Sequence, residues 1–360
     1  MNKTLTWVIV IVIVIVGGYY LFFNKKEPFD AAQGEPIKIG IIAPLTGPGA
    51  IFGNSLVKAI EMAQEDLGKT KNKYEVIIED DGTNPGQSAS AAKKLIEIDK
   101  VKAIISATSG TGNAIKPLAA AGKVIQICIG CADLSIGDGT YNYTNAILPA
   151  EDAAFWADEA AKRGLKKVAI LSQIHPGINV VVDEIKNQAS LKGLSVVYEE
   201  RFDGSVRDFK TIIAKAKISN PDTYFIISFP PSIDIIGQEL RTLGVKQVST
   251  IAGFAISANP EIFNDYWFVD AYIADPSFLK RFRERYPEIR LSPRTGPHSY
   301  DTFTMLVKGF ESGKEISQYL TELTEYTGIV GETIKAIGSG NFSSKPAAWI
   351  MKNGRPEPIE

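Results

Sequence analysis

Short β-branched, apolar runs alternate with helix-period stretches along most of this chain, and that alternation leaves few folds open. The runs fall at 37–43, 75–78, 101–105, 124–129, 168–171, 195–198, 224–227 and 248–251. Between them lie amphipathic patterns at 52–67, 86–98, 111–121, 152–163, 179–191, 208–218 and 233–243. Strand following helix in this way predicts parallel, doubly wound sheets with right-handed crossovers. The strand runs are mostly apolar throughout rather than alternating, as expected of sheets covered on both faces. The rhythm breaks at 141–149 and resumes at Val168, so the expected fold is α/β with two doubly wound parallel-sheet lobes. A chain of 360 residues suits two cores, since single cores seldom grow past roughly 250–300 residues. Two such sheets side by side leave a cleft, a preferred place for a ligand.

Loops leaving the carboxyl ends of parallel strands line that crevice. The first, 44–52, joins the strand 37–43 to a helix whose apolar face is Phe52, Leu56, Ile60, Ala63 and Leu67, placing Phe52 beside any ligand. Further on, Ser109-Gly110-Thr111-Gly112-Asn113 follows a strand and opens a helix, where exposed amides and the positive helix end suit a small anion. A dinucleotide site is excluded, because the third glycine position is Ile115. A plain strand-to-helix turn is the competing account of the same residues. Asp80-Asp81 reads as a strand-end turn closed by an Asx bond rather than as an acid pair. His175, ahead of Pro176-Gly177, stands between ligand contact and solvated loop residue.

Residues 39–53, Ile-Gly-Ile-Ile-Ala-Pro-Leu-Thr-Gly-Pro-Gly-Ala-Ile-Phe-Gly, resemble the opening of the leucine/isoleucine/valine-binding protein family, the type I solute-binding proteins of ABC importers. The order and spacing of 79–85, Ser299-Tyr300-Asp301 and 326–331 extend the resemblance over nearly all of 36–360. It implies a chain that crosses between lobes three times, with 36–148 plus 277–335 as lobe 1 and 149–276 plus 336–360 as lobe 2. It also implies a small amino-acid-like ligand held by hinge closure and presented to ABC permease subunits on the extracytoplasmic side. Ser109, Gly130 and Ala132 would then hold the ligand's carboxylate end, Glu151 its ammonium if there is one, and Phe52 with Phe229 its apolar side, with Thr108 and Cys131 as further ligand contacts. Each of these has a plainer alternative: a buried core phenylalanine, or an acid at a helix start for Glu151. Three positions depart from the family: Ala132 where a threonine is usual, with Cys131 there if the alignment slips by one, Phe229 for a tyrosine, and Ala255 for a glutamate. The ligand class therefore extends to amides or other small carboxylates, and a ligand-sensing receptor ectodomain is the alternative function.

Other readings are narrowed by what the chain carries. A formal net charge of -2 without a basic block argues against nucleic acid. Cys128 and Cys131, three apart, suit a local disulfide or two structural thiols; a structural zinc wants four ligands, and His175 and His298 lack the spacing. No nucleophile elbow, zincin motif or phosphate-loop lysine occurs, so neither an enzyme nor a cofactor is expected. Residues 7–23 carry no charge and as a helix would cover about 25 Å, close to the ~30 Å hydrocarbon core. We read 1–35 as an uncleaved membrane anchor and linker, with a cleavable signal peptide as competitor.

Overall fold

The computed structural model describes residues 34–336 and 339–359; the expected anchor at 7–23 lies outside them. Strands β1 (Ile37–Ala43), β2 (Tyr74–Asp80), β3 (Ala103–Ala107), β4 (Ile125–Ile129) and β5 (Asn142–Ala146) alternate with helices α1 (Ala50–Asp66), α2 (Pro85–Glu97) and α3 (Ser109–Gly122). After α4 (Pro149–Lys162) a second series follows: β6 (Lys167–Gln173), α5 (Pro176–Leu191), β7 (Ser195–Phe202), α6 (Lys210–Ile218), β8 (Thr223–Ile227), α7 (Ser232–Thr242), β9 (Val248–Ser249) and β10 (Trp267–Ala271). The tail adds α8 (Pro276–Arg285), α9 (Thr295–Glu311), α10 (Ile316–Glu322), β11 (Glu325–Gly328), β12 (Gly331–Lys335), β13 (Asn341–Ser343), β14 (Pro346–Lys352) and β15 (Arg355–Pro358).

Two sheet systems result. The first runs β11-β12-β13-β5-β4-β3-β1-β2, parallel from β13 to β2. The second runs β7-β6-β8-β9, and a parallel bridge from Ile251 to Val269 joins it to β10-β14-β15. In both, the chain starts mid-sheet, adds one strand on one side and the next on the other. The order therefore reverses between β1 and β3 and again between β6 and β8, and a ligand crevice opens at such a point.

Continuous strand hydrophobicity has the expected cause. In the first sheet Ile39 and Ile41 face Leu56, Ile60 and Phe303 on one side, while Ile42 and Ile104 face Leu95 and Ile115 on the other. In the second, Val168, Ile170 and Phe225 pack on Trp156 and Val182, and Leu171 with Ile226 on Ile213 and Leu240. Helix starts follow local chemistry: Asn84 Oδ1 accepts from Gly86 and Gln87 N–H ahead of α2, with Pro85 at the first helical position.

The chain passes between the sheets after β5, after β10 and after β13. α8 packs Phe278 and Phe282 against Ala59 and Met62 of α1, beside the first sheet. The third passage falls later than the expected 335, because β13 pairs in parallel with β5 through Asn341–Ser343. Sequence periodicity has no grip on a three-residue strand.

Candidate functional site

The carboxyl ends of β3, β4, β5 and β8 converge on one cleft of about 100 Å³ between the sheets. Of the eight expected contacts, Phe52, Thr108, Ser109, Gly130, Cys131, Ala132 and Phe229 line it. Glu151 does not. It lies outside the cleft with its carboxylate 2.5 Å from the Ser343 hydroxyl. One residue on, a helix has turned about 100°, so it is Asp152 that faces inward. The buried face of α4, carrying Ala153, Trp156, Ala157 and Ala160, includes 152 and skips 151, so the apolar spacing held the signal.

At the first lobe's side of the cleft the chain is braced for an anion. Thr108 caps α3 in a left-handed conformation (φ 73°) that a threonine rarely adopts, its hydroxyl accepting from Thr111 N–H at 3.4 Å. The Thr111 hydroxyl in turn donates to the buried Asp81 at 2.6 Å. Ser109 Oγ accepts from the N–H groups of Ala132 (3.0 Å) and Asp133 (3.2 Å). With both lone pairs engaged, the serine proton is left to donate. The first amides of α3 have no partner within the helix.

The opposing lobe brings a second helix start to the same place. α5 begins at Pro176 with no side-chain cap, leaving the Gly177 and Ile178 amides at its amino end. A Cβ at Gly177 would come within 2.7 Å of Ser109 Oγ, so the lobes stand closed and only glycine fits there. Phe52 and Phe229 meet edge to face across the cleft at 6.5 Å, and His175 meets Phe229 edge to face at 5.3 Å. Burial lowers the His175 pKa. Ile129, Ile147, Ile178, Val181, Ile227 and Ile256 complete apolar walls.

The cleft wall also carries a charge cluster absent from the expected contacts, with Arg294 and Asp152 lining it. Arg294, just ahead of α9, makes two parallel 3.0 Å bonds to Asp152 and lies 3.5 Å from Asp270 on β10. All three are buried. Burial raises the Asp152 pKa against the pull of Arg294, and burial pushes Asp270 up to about 7. His298, held by the Arg294 carbonyl and Ser344, is pushed down to about 4 by burial and by the guanidinium. No motif surrounds Arg294, so sequence offered nothing to find it by. Cys128 and Cys131 are joined in a disulfide that closes the loop carrying Gly130. Among the described residues no cluster of acids, histidines and cysteines could hold a metal.

A family model of periplasmic binding proteins matches residues 36–344. The chain belongs to the periplasmic binding protein family. That is a family of binders rather than enzymes, and its setting is extracytoplasmic. Among relatives, the Leu/Ile/Val-binding protein homolog 2 of Brucella abortus is 26% identical over 332 residues, covering 89% of this chain and 83% of the relative. Homolog 3 of Brucella melitensis is 24% identical, and the match spans 66% of its length. Solved structures share the fold. Leucine-binding LivK of Thermotoga maritima superposes with a TM-score of 0.80 at 21% identity, over 90% of this chain and 98% of that one. LivJ of Streptococcus pneumoniae, solved with isoleucine, gives 0.80 at 20% identity over 91% and 99%. A Rhodopseudomonas palustris solute-binding protein in complex with 4-hydroxybenzoate gives 0.76 at 22% identity over 91% and 96%.

Proposed function

We propose that this periplasmic binding protein is the membrane-tethered receptor of an ABC importer, and that its ligand is a small organic carboxylate with an apolar body. One observation carries the ligand class: the amino ends of α3 and α5 face each other across the cleft with the Ser109 hydroxyl between them, and no carboxylate there is free. Two positive helix ends repel unless an anion lies between them, so a carboxylate both binds and closes the lobes. An α-ammonium would need an acidic partner, since a buried charge without one is costly. The one acid in the wall, Asp152, already spends both oxygens on Arg294. Ligands of the solved neighbours bracket the choice: isoleucine and 4-hydroxybenzoate share a carboxylate, and only the first carries an ammonium. The Ser109 hydroxyl and the amides at the starts of α3 and α5 hold the anion, and Phe52 and Phe229 flank the body. The two lobes close about the three crossings by hinge motion, and residues 7–23 tether the receptor to the membrane.

A thermal-shift screen of the purified chain separates the possibilities. Ligand at a hundred times its Kd stabilises by about 2.7 kcal/mol, enough to see. We expect benzoates or branched aliphatic acids to raise Tm, with leucine, isoleucine and valine weaker. A rise with α-amino acids alone would show that the ammonium finds a partner, and an equal rise with neutral amides would remove the role of the anion site. With a ligand found, Phe229→Ala should weaken it roughly tenfold; unchanged binding would displace Phe229 from the wall.

A further inference from the structure

Parallel strands put their amino ends opposite the ligand cleft, and in the first lobe that end is a groove of about 670 Å³. Ile37, the first residue of β1, lies in it together with Lys100, Lys102, Lys123 and Lys314. All four lysines are exposed; Lys314 is paired with Glu322, and Lys100, Lys102 and Lys123 still outnumber the groove's two acids, Glu97 and Glu315. Lys71 and Lys73 stand exposed on the loop beside it, where the Lys73 carbonyl accepts from Ile37 N–H at 2.8 Å. Glu311 accepts from the backbone of Lys71 and Asn72 and from the Tyr74 hydroxyl, which keeps its negative charge beside these lysines and leaves the positive excess a modest one. Beside Lys100, the Ile98 side chain is 73% exposed.

The chain enters the domain at this same face. Only residues 24–33 separate the uncharged stretch 7–23 from the first described residue, a span of at most about 35 Å when fully extended. We propose that the lysine-lined face docks on the anionic phospholipid headgroups of the bilayer that residues 7–23 enter, with Ile98 reaching into the interfacial layer. The inference rests on the membrane tether proposed above. A tether this short makes docking intramolecular, so the modest excess of positive charge suffices where a free domain would need a larger patch. Docked this way, the cleft at the opposite strand ends faces away from the membrane, open to solute.

The test uses the full chain reconstituted in phosphatidylcholine vesicles with and without phosphatidylglycerol. Co-flotation after an alkaline wash reports the tether, and amine acetylation read by mass spectrometry reports the face. We expect acetylation of Lys100, Lys102 and Lys123 to slow several-fold in the anionic vesicles at low salt and to recover at high salt, because exposed charges are screened over about a Debye length. Lys215 and Lys217, exposed on the other lobe, serve as unchanged references. The triple variant Lys100→Glu, Lys102→Glu, Lys123→Glu should keep its Tm and its ligand response and lose the protection. Equal acetylation in both vesicles overturns the proposal. So does protection already present in detergent, which would assign the groove to residues 24–33 or to a second copy. Flotation only with anionic vesicles at low salt would remove the tether and keep the face; flotation with neither would remove both.

Discussion

Ser109 carries more of the site than its size suggests. Its oxygen takes two backbone N–H bonds that hold the loop at 132–133, and its remaining proton is left to donate to the proposed anion. Ser109→Ala removes a hydrogen bond to a charged group, worth about 1.5–3 kcal/mol, so calorimetry should show affinity falling roughly tenfold to a hundredfold. Asp270 makes a pH prediction. Its folded pKa, raised to about 7 by burial, lies above the unfolded value near 3.9. The stability attached to this group is therefore complete below pH ~4 and lost as pH rises through about 7. Asp270→Asn does not titrate, so the wild-type Tm minus the variant Tm should fall as pH is raised from about 4 to about 8. His298 contributes with opposite sign but equally in both proteins, and cancels from the difference. A flat difference across that range would mean that Asp270 is ionised throughout.

At the scale of elements, the strand-turn-helix from β1 to α1 shows how local chemistry and packing share the work. Asp80 at the end of β2 takes the Leu45 N–H at 2.8 Å and the Thr46 hydroxyl at 2.6 Å, pinning the turn that aims Phe52 at the cleft. α1 then passes so close to that turn that a Cβ on Gly53 would sit 2.0 Å from the Pro44 carbonyl oxygen. Backbone cannot move aside as a side chain can, so Gly53→Ala should cost roughly 3 kcal/mol, read as a lower urea midpoint with unchanged slope. Most strands and helices were legible because they are apolar on the faces they bury. The exceptions are instructive: β5 buries Asn142, Thr144 and Asn145 and lies where the rhythm reads as broken, β10 was not read as a strand, β13 is too short to show a period, and Glu151 differs from Asp152 only by one step around a helix.

For the whole molecule, function rests on two lobes whose approach at the cleft brings Gly177 against Ser109. Gly177→Ala leaves each lobe's own core untouched and places a methyl group against an oxygen already fixed by two amides. The ligand-free Tm should stay within about 1 °C, while affinity falls tenfold or more, about 1.4 kcal/mol. Solution scattering should show the variant keeping its open dimensions on adding ligand, where the wild type contracts. Unchanged affinity would mean that the lobes do not need this contact to close.

By itself the sequence determined the two-lobed α/β architecture, the strand ends that face the cleft and seven of the residues that line it. The architecture and the facing strand ends follow from periodicity and loop position, which are properties of neighbouring residues, while most of the seven came from the family resemblance. Only the tertiary structure decided that Asp152 is taken by Arg294 and that Asp270 lies buried beside them. The same holds for the positive ends of α3 and α5 meeting at one point. Asp152 and Arg294 stand more than a hundred positions apart and α3 and α5 belong to different lobes, and no local pattern encodes which charges will meet once the chain has closed on itself.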